Sequence, residues 1–138
     1  MWAAGKTGCL ILRKDRCMKE NEILKIYGTD YKEMTKRLLT EAELEKRIPG
    51  KDARIGIKPN LVSPSEASWG ATTHPEIVAG FVEYLQERGF SNLLILEGSW
   101  VGDKTSESAE VCGYLDLCSQ YGIPFVDTQK DSFHARDC

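Results

Sequence analysis

The stretch that decides the fold is NLLILE, residues 92–97, a nearly unbroken apolar run. Such a run predicts a β-strand that is covered on both faces, as in a parallel sheet. The residues before it predict an amphipathic helix over 73–88, because apolar side chains recur there at helical spacing. Thr73 and Glu76 have the spacing of a capping box, and Pro75 stands where a first-turn proline is tolerated. Residues 73–97 are thus predicted to form a helix followed by a buried strand.

Shorter segments on both sides predict further strands and helices. The predicted strands are residues 23–27, 53–57 and 124–127, and the predicted helical regions are residues 30–44, with Asp30 as N-cap, and 109–121, which ends at Gly122. Strands therefore alternate with helices, and each crossover is long enough to return the chain in parallel. We expect an α/β fold with an open, mostly parallel sheet of about four strands and covering helices.

The same pattern divides the chain into three parts. Residues 1–17 show no useful periodicity, and we expect them to be a poorly ordered N-terminal extension. Residues 18–131 are expected to be the N-terminal part of an α/β domain, and residues 132–138 an irregular tail. Because no helix is predicted after the last strand, a sheet edge would stay bare. We therefore interpret the domain as incomplete, or truncated, with a missing C-terminal half or another subunit as its partner.

Composition excludes several classes of protein. The 138 residues have a net charge of −3, whereas nucleic-acid-binding proteins are usually basic, so we expect no nucleic-acid partner. No apolar run approaches the roughly 20 residues of a membrane-spanning helix, so we expect no membrane partner. The five cysteines form no C-x-x-C pair and no secretory signal is present, which indicates reduced thiols in a cytoplasmic protein and no metal site.

The first candidate ligand-binding loop follows the strand at residues 53–57, since open parallel sheets bind ligands beyond the carboxyl ends of their strands. Lys58 and Asn60 begin this loop, and its last residues, at the start of the long helix, are Thr72, Thr73 and His74. A lysine, hydroxyls and a helix N-terminus together favour an anion such as phosphate or carboxylate. Three of these residues also have a structural interpretation: Lys58 as a solvated lysine, Thr73 as a helix cap, and His74 as a solvated or capping neighbour.

The second candidate loop begins with Glu97 and Ser99 and continues through Trp100 to Asp103. A carboxylate at the end of a buried strand is costly unless it is paired, and Lys58 is the expected partner if the two strands are neighbours. The pair is either a structural salt bridge or an acid/base pair with tuned pKa values. Trp100 either walls a ligand pocket or covers the core, and Asp103 either belongs to the site or caps the next helix.

An ordered set of short segments resembles the family called domain of unknown function 362. These segments are residues 57–62 (IKPNLV), 71–76 (ATTHPE), 97–99 (EGS), 113–114 (GY), 121–124 (YGIP) and 126–127 (VD). Members of that family are mostly uncharacterised, many are much longer than this chain, and some carry a ferredoxin-like module with cysteine-ligated iron–sulfur clusters. The resemblance therefore implies a redox link, with an iron–sulfur cluster in a longer product. This chain lacks the ligating cysteines, and we expect no cofactor in it.

Our leading hypothesis is an N-terminal α/β part that contributes to a site for a small anionic molecule. Its catalytic candidates are Lys58 and Glu97, and its ligand-binding candidates are Asn60, Thr72, Thr73, His74, Ser99 and Asp103. The alternative is a non-catalytic scaffold or electron-transfer partner in which the same residues only tie strand ends together. A third interpretation is a gene fragment without independent function. The residues are compatible with an enzyme and with a binding protein alike.

Overall fold

The computed structural model describes residues 21–132 and 134–135. Its helices and strands follow in the order α1 (Tyr31–Glu41), β1 (Ile55–Ile57), α2 (Pro75–Glu87), β2 (Leu93–Glu97), α3 (Thr105–Val111), α4 (Tyr114–Tyr121) and β3 (Phe125–Asp127). This arrangement confirms the α/β fold with an open parallel sheet. The sheet of the described residues has three strands instead of about four. The predicted extension, residues 1–17, and part of the predicted tail lie outside the described residues.

The central strand of the sheet is β2, which pairs in parallel with β1 on one side and β3 on the other. Ile57 lies opposite Ile95, and Glu97 lies opposite Asp127. Four of the five β2 residues are buried, and Leu96 is half-buried, as the apolar run predicts. Each connection between the paired strands contains helices, because a parallel neighbour can be reached only by a crossover.

The predicted strand at residues 23–27 is absent. These residues form no ladder with any described strand. Instead, Leu24 and Ile26 line a shallow groove together with Leu38 of α1, while Ile23 points away and is 88% exposed. The alternation of exposed and half-buried residues is that of an extended segment. A strand also needs a hydrogen-bonding partner, which periodicity alone does not supply.

The predicted helix boundaries are confirmed at some ends and wrong at others. Asp30 caps α1 as predicted, since its carboxylate accepts a hydrogen bond from the backbone N–H of Glu33 at 3.0 Å. The helix stops at Glu41 and not near residue 44, because Glu43 adopts a left-handed conformation with φ 49° and a short 3₁₀ turn, Leu44–Arg47, follows. Gly122 ends α4 in the left-handed conformation that favours glycine.

The predicted capping box at the start of α2 is wrong. His74, not Thr73, occupies the N-cap position, and its side chain makes no capping hydrogen bond. The hydroxyl of Thr73 is used elsewhere, since it accepts a hydrogen bond from the backbone N–H of Asn60 at 2.9 Å. Pro75 does stand in the first turn of the helix. The predicted helix is therefore confirmed, but its N-cap is His74 and not Thr73.

The hydrophobic core lies between the helices and the sheet. Its buried side chains include Val82 and Leu85 of α2, Leu93 and Ile95 of β2, and Tyr114 of α4. Burying such side chains stabilises a fold by roughly 1.5–3 kcal/mol each, so this cluster supplies the main driving force for folding.

Gly80 lets α1 and α2 pack closely. A Cβ at this position would lie 2.6 Å from the carbonyl oxygen of Lys32 and 2.8 Å from the Cβ of Thr35, both in α1. Real Cβ atoms do not come this close to a backbone oxygen, so any larger residue at Gly80 requires the two helices to separate. The close contact therefore depends on the missing side chain.

We predict that Gly80→Ala lowers the free energy of unfolding by up to about 2 kcal/mol. Overpacking costs typically 1–3 kcal/mol, and the better helix propensity of alanine returns about 1 kcal/mol. Urea unfolding followed by circular dichroism measures the change. Gly50→Ala is the matched control, because a Cβ there meets nothing within 4 Å. Equal stabilities of the two variants would contradict the close contact.

A polar network fastens α1 and α4 to α2 through Glu83. Its carboxylate accepts hydrogen bonds from the Tyr121 hydroxyl at 2.7 Å, from Lys32 at 3.0 Å and from Lys36 at 3.3 Å. These donors, with Tyr121 the strongest, lower the pKa of Glu83 from its ordinary value of 4.5 to about 2. Burial and the contact with Glu83 raise the pKa of Tyr121 to about 12.

We predict that Glu83 stabilises the fold in a pH-dependent way. Because its pKa is lower in the folded state, its contribution is complete above pH 4.5 and is lost as the pH falls towards 2. Glu83→Gln removes this contribution. The difference in unfolding free energy between wild type and variant, measured in urea at several pH values, should therefore shrink between pH 4.5 and pH 2.5. A difference that stays constant over this range would contradict the role of the Glu83 network.

Candidate functional site

Lys58 and Glu97 meet at the carboxyl edge of the sheet. Lys58 directly follows β1, and Glu97 is the last residue of the neighbouring strand β2. The Lys58 ammonium donates a hydrogen bond to Glu97 Oε2 at 2.8 Å. The pairing expected from the sequence is thus confirmed, and it follows from the parallel register that brings the ends of β1 and β2 side by side.

The two partners of this ion pair differ strongly in exposure. The Glu97 side chain is 4% exposed, whereas that of Lys58 is 61% exposed. The second carboxylate oxygen, Glu97 Oε1, accepts a hydrogen bond from the backbone N–H of Gly98 at 2.8 Å. Both oxygens of a buried carboxylate are therefore satisfied, which is the condition for keeping such a group inside a protein. The lysine, by contrast, presents its charge to solvent.

A pocket of about 310 Å³ opens beside this ion pair. One wall comes from alternate residues of the first loop, namely Lys58, Asn60 and Val62, and the other from the consecutive residues 97–101. We call it the Lys58–Glu97 pocket. It brings together four of the predicted site residues, including Ser99. Trp100 also lines it and is 68% exposed, so this side chain walls the pocket and does not cover the core.

The second loop is held in place by Gln129, which the sequence did not single out. Its amide nitrogen donates hydrogen bonds to the carbonyl oxygens of Ser99 at 3.2 Å and Asp103 at 3.1 Å. Its amide oxygen accepts a hydrogen bond from the backbone N–H of Thr105, the first residue of α3, at 3.2 Å. The only signal in the sequence was its position in the loop after the last strand. Asp103 does not cap α3, because Lys104 is the N-cap.

The first loop is fixed by Thr73 and Tyr114. Besides accepting from Asn60, Thr73 donates its backbone N–H to the Asn60 carbonyl oxygen at 2.8 Å. The Tyr114 hydroxyl, which is fully buried, donates to the Thr73 carbonyl oxygen at 3.0 Å. Burial raises the pKa of Tyr114 well above its ordinary value, so this hydroxyl stays protonated and remains a donor. The amide nitrogen of Asn60 donates to the Ala71 carbonyl oxygen at 2.8 Å.

The remaining predicted site residues lie outside the pocket. Thr72 is 6% exposed, and its hydroxyl donates to the carbonyl oxygen of Ser65 at 3.2 Å. The ring of His74 packs against that of Tyr31, with 4.5 Å between the ring centroids. Asp103 contributes its backbone carbonyl to Gln129 and does not line the pocket. Thr72, His74 and Asp103 therefore do not line the pocket beside Lys58.

The described cysteines do not fit an iron–sulfur cluster. Cys112 and Cys118 are both free and buried. The Cys112 thiol donates to the Ser65 carbonyl oxygen at 3.2 Å, and burial raises the pKa of Cys118, which disfavours the thiolate that a metal needs. Within residues 21–132 and 134–135, no three His, Cys, Asp or Glu side chains are grouped as metal ligands. In the same residues, no helix is long and apolar enough to span a membrane.

Fold and pocket together define an α/β protein with a surface pocket at the carboxyl ends of its strands, the edge at which open parallel sheets commonly bind ligands. Comparison with protein families then identifies the group to which it belongs. A family model described as Domain of unknown function (DUF362) matches residues 55–138, more than half of the chain. The chain therefore belongs to the DUF362 family, as the resemblance of its short segments indicates. No curated protein and no solved structure matches it.

We predict that Lys58→Ala lowers the free energy of unfolding by about 1–2 kcal/mol. The cost arises at Glu97, whose buried carboxylate loses a partner, and it is moderate because water reaches the lysine. Urea unfolding is measured for Lys58→Ala, Glu97→Gln and the double variant. The sum of the unfolding free energies lost in the two single variants should exceed the loss in the double variant. Lys104→Ala, at another exposed loop lysine, is the control and should change stability by less than about 0.5 kcal/mol. Strictly additive losses would contradict an energetic coupling between Lys58 and Glu97.

Proposed function

We propose that the Lys58–Glu97 pocket binds a small anionic ligand through a phosphate or carboxylate group. The observation that carries the proposal is the exposed ammonium of Lys58, fixed at the mouth of a 310 Å³ cavity. An ammonium has three N–H donors, and among the described residues Glu97 takes one of them. The others are available to an anion that enters the pocket.

Glu97 has two roles in this proposal. As a buried carboxylate with both oxygens hydrogen-bonded, it holds the lysine ammonium at the pocket. If the ligand is chemically transformed, Glu97 and Lys58 are the groups that can exchange a proton with it, because they line the same pocket. The binding role does not depend on the catalytic one.

The side chains of Asn60 and Ser99 mainly hold the loops that line the pocket, and only Asn60 keeps a donor for the anion. The single hydroxyl proton of Ser99 is donated to the Leu61 carbonyl oxygen at 2.8 Å. One of the two N–H groups of the Asn60 amide is donated to Ala71, which leaves the other for a ligand. Lys58 is therefore the principal contact of the anion, and Asn60 is the second. Thr72, Thr73 and His74 have no part in this proposal.

A scaffold function is the second candidate, and one observation favours it. The same residues tie the two loops together, since Ser99 donates to Leu61 and the backbone N–H of Trp100 donates to the Val62 carbonyl oxygen at 2.9 Å. In that case the Lys58–Glu97 pair is a structural salt bridge without a ligand. A redox role through an iron–sulfur cluster, which the family resemblance implies for longer members, requires cysteines other than Cys112 and Cys118.

We predict that the wild-type protein binds inorganic phosphate or acetate weakly and that the double variant Lys58→Ala/Glu97→Gln binds neither. The double variant is chosen because it leaves no buried carboxylate without a partner, so a loss of binding does not reflect unfolding. Isothermal titration calorimetry at low salt measures binding, and circular dichroism verifies the fold. Lys104→Ala is the control and should bind like wild type.

Two outcomes contradict the anion site. If wild type binds neither phosphate nor acetate, the pocket is no anion site and the scaffold function is favoured. If the double variant binds as well as wild type, the anion is held elsewhere on the protein, and Lys58 has no role in binding it.

A further inference from the structure

Two exposed apolar side chains stand at the mouth of the Lys58–Glu97 pocket. Trp100 is 68% exposed and Val101 is 90% exposed, and both line the pocket beside the charged pair. A solvent-exposed tryptophan gives up the favourable burial of a large apolar surface. Trp69 is equally exposed, at 78%, but does not line this pocket. Among the described tryptophans, Trp100 is thus the one that a ligand bound to Lys58 would contact.

The backbone that carries Trp100 is held from both sides. Its own N–H donates to the Val62 carbonyl oxygen at 2.9 Å, and its carbonyl oxygen accepts from the backbone N–H of Asp103 at 3.0 Å. The preceding residue, Ser99, donates its backbone N–H to the Thr105 hydroxyl at 3.0 Å and accepts from Gln129. A backbone fixed in this way limits the positions that the Trp100 ring can take beside the pocket, which lowers the entropic cost of binding.

The volume of the pocket is larger than that of a phosphate or carboxylate group. Its volume is about 310 Å³, at the lower end of the range for small-molecule pockets, which begins near 300 Å³. One water takes about 30 Å³ of liquid volume, and a phosphate or carboxylate group corresponds to only a few waters. Most of the space next to Trp100 and Val101 is therefore left for a further, apolar part of the ligand.

We infer that the ligand of this pocket is an aromatic anion, whose phosphate or carboxylate contacts Lys58 while its ring packs against Trp100. This inference rests on the proposed anion site and adds the chemical class of the ligand. An aromatic ring matches the flat face of the indole, and Val101 covers its edge with apolar surface. The charged and the apolar halves of the ligand then match the two halves of the pocket.

The test compares two pairs of probes, and in each pair one anion carries an aromatic ring and the other does not. Phenyl phosphate is compared with inorganic phosphate, and benzoate with acetate, by isothermal titration calorimetry on the full chain. In each pair that binds, the aromatic probe should bind about tenfold more tightly, in the range known for aromatic stacking. The phosphate pair and the carboxylate pair separate the two anionic groups that lysine accepts. Whichever pair binds more tightly identifies the anionic group.

Two variants assign the gain to Trp100. Trp100→Ala should reduce the binding of the aromatic probe to that of the bare anion and leave the bare anion unaffected. Trp69→Ala is the matched control, since it removes an equally exposed tryptophan outside the pocket, and it should preserve the tenfold preference. Trp100→Phe, which keeps an aromatic face, should retain most of it.

The possible failures are distinguishable. If wild type binds the bare and the aromatic anions equally, or if Trp100→Ala retains the preference, the aromatic class is wrong while the anion site stands. If neither bare anion binds, the anion site itself is wrong. Tight binding of phenyl phosphate that survives Lys58→Ala/Glu97→Gln would also overturn the inference, because the charged half of the ligand would then have no role.

Discussion

The parallel pairing of β2 with both β1 and β3 is the constraint on which the rest of the structure depends. A parallel neighbour can be reached only after a crossover, so α2 lies between β1 and β2, and α3 and α4 lie between β2 and β3. All three strands then end at the same edge of the sheet. The loops after β1 and β2 meet there, and the pocket forms where they meet. Sheet topology, and not a local motif, decides which residues become neighbours.

The buried end of β2 makes this edge chemically distinctive. Glu97 continues an apolar strand into a position where a carboxylate is almost fully buried. Such a group must have partners for both oxygens, and the two loops supply them from Lys58 and Gly98. Gly98 also permits a close approach of the loop that follows β3, since a Cβ there would lie 2.5 Å from the hydroxyl oxygen of Thr128. The salt bridge is therefore both a structural requirement and the reason that a lysine is held at the pocket.

The sequence predicted the fold from a strong local signal, and it predicted the central ion pair from the parallel sheet that this signal implies. The apolar run of residues 92–97 could only be a buried element, and Lys58 was the cation nearest to the end of a neighbouring strand. The strand at residues 23–27 was wrong because alternation predicts an extended backbone but not its hydrogen-bonding partner. Gln129 was missed because a polar loop residue has no distinguishing pattern until the fold brings it next to Ser99.

The hydroxyls predicted to bind a ligand illustrate a more general limit. Thr72 is buried and Thr73 is half-buried, and backbone groups in such positions need hydrogen-bonding partners. Their hydroxyls, and that of Ser99, are therefore used to satisfy the chain itself. A sequence shows which residues can donate hydrogen bonds but not which donors the fold has already used. Groups that remain available at the surface of the pocket include the Lys58 ammonium and the Trp100 ring, and in our proposal these are the groups that contact a ligand.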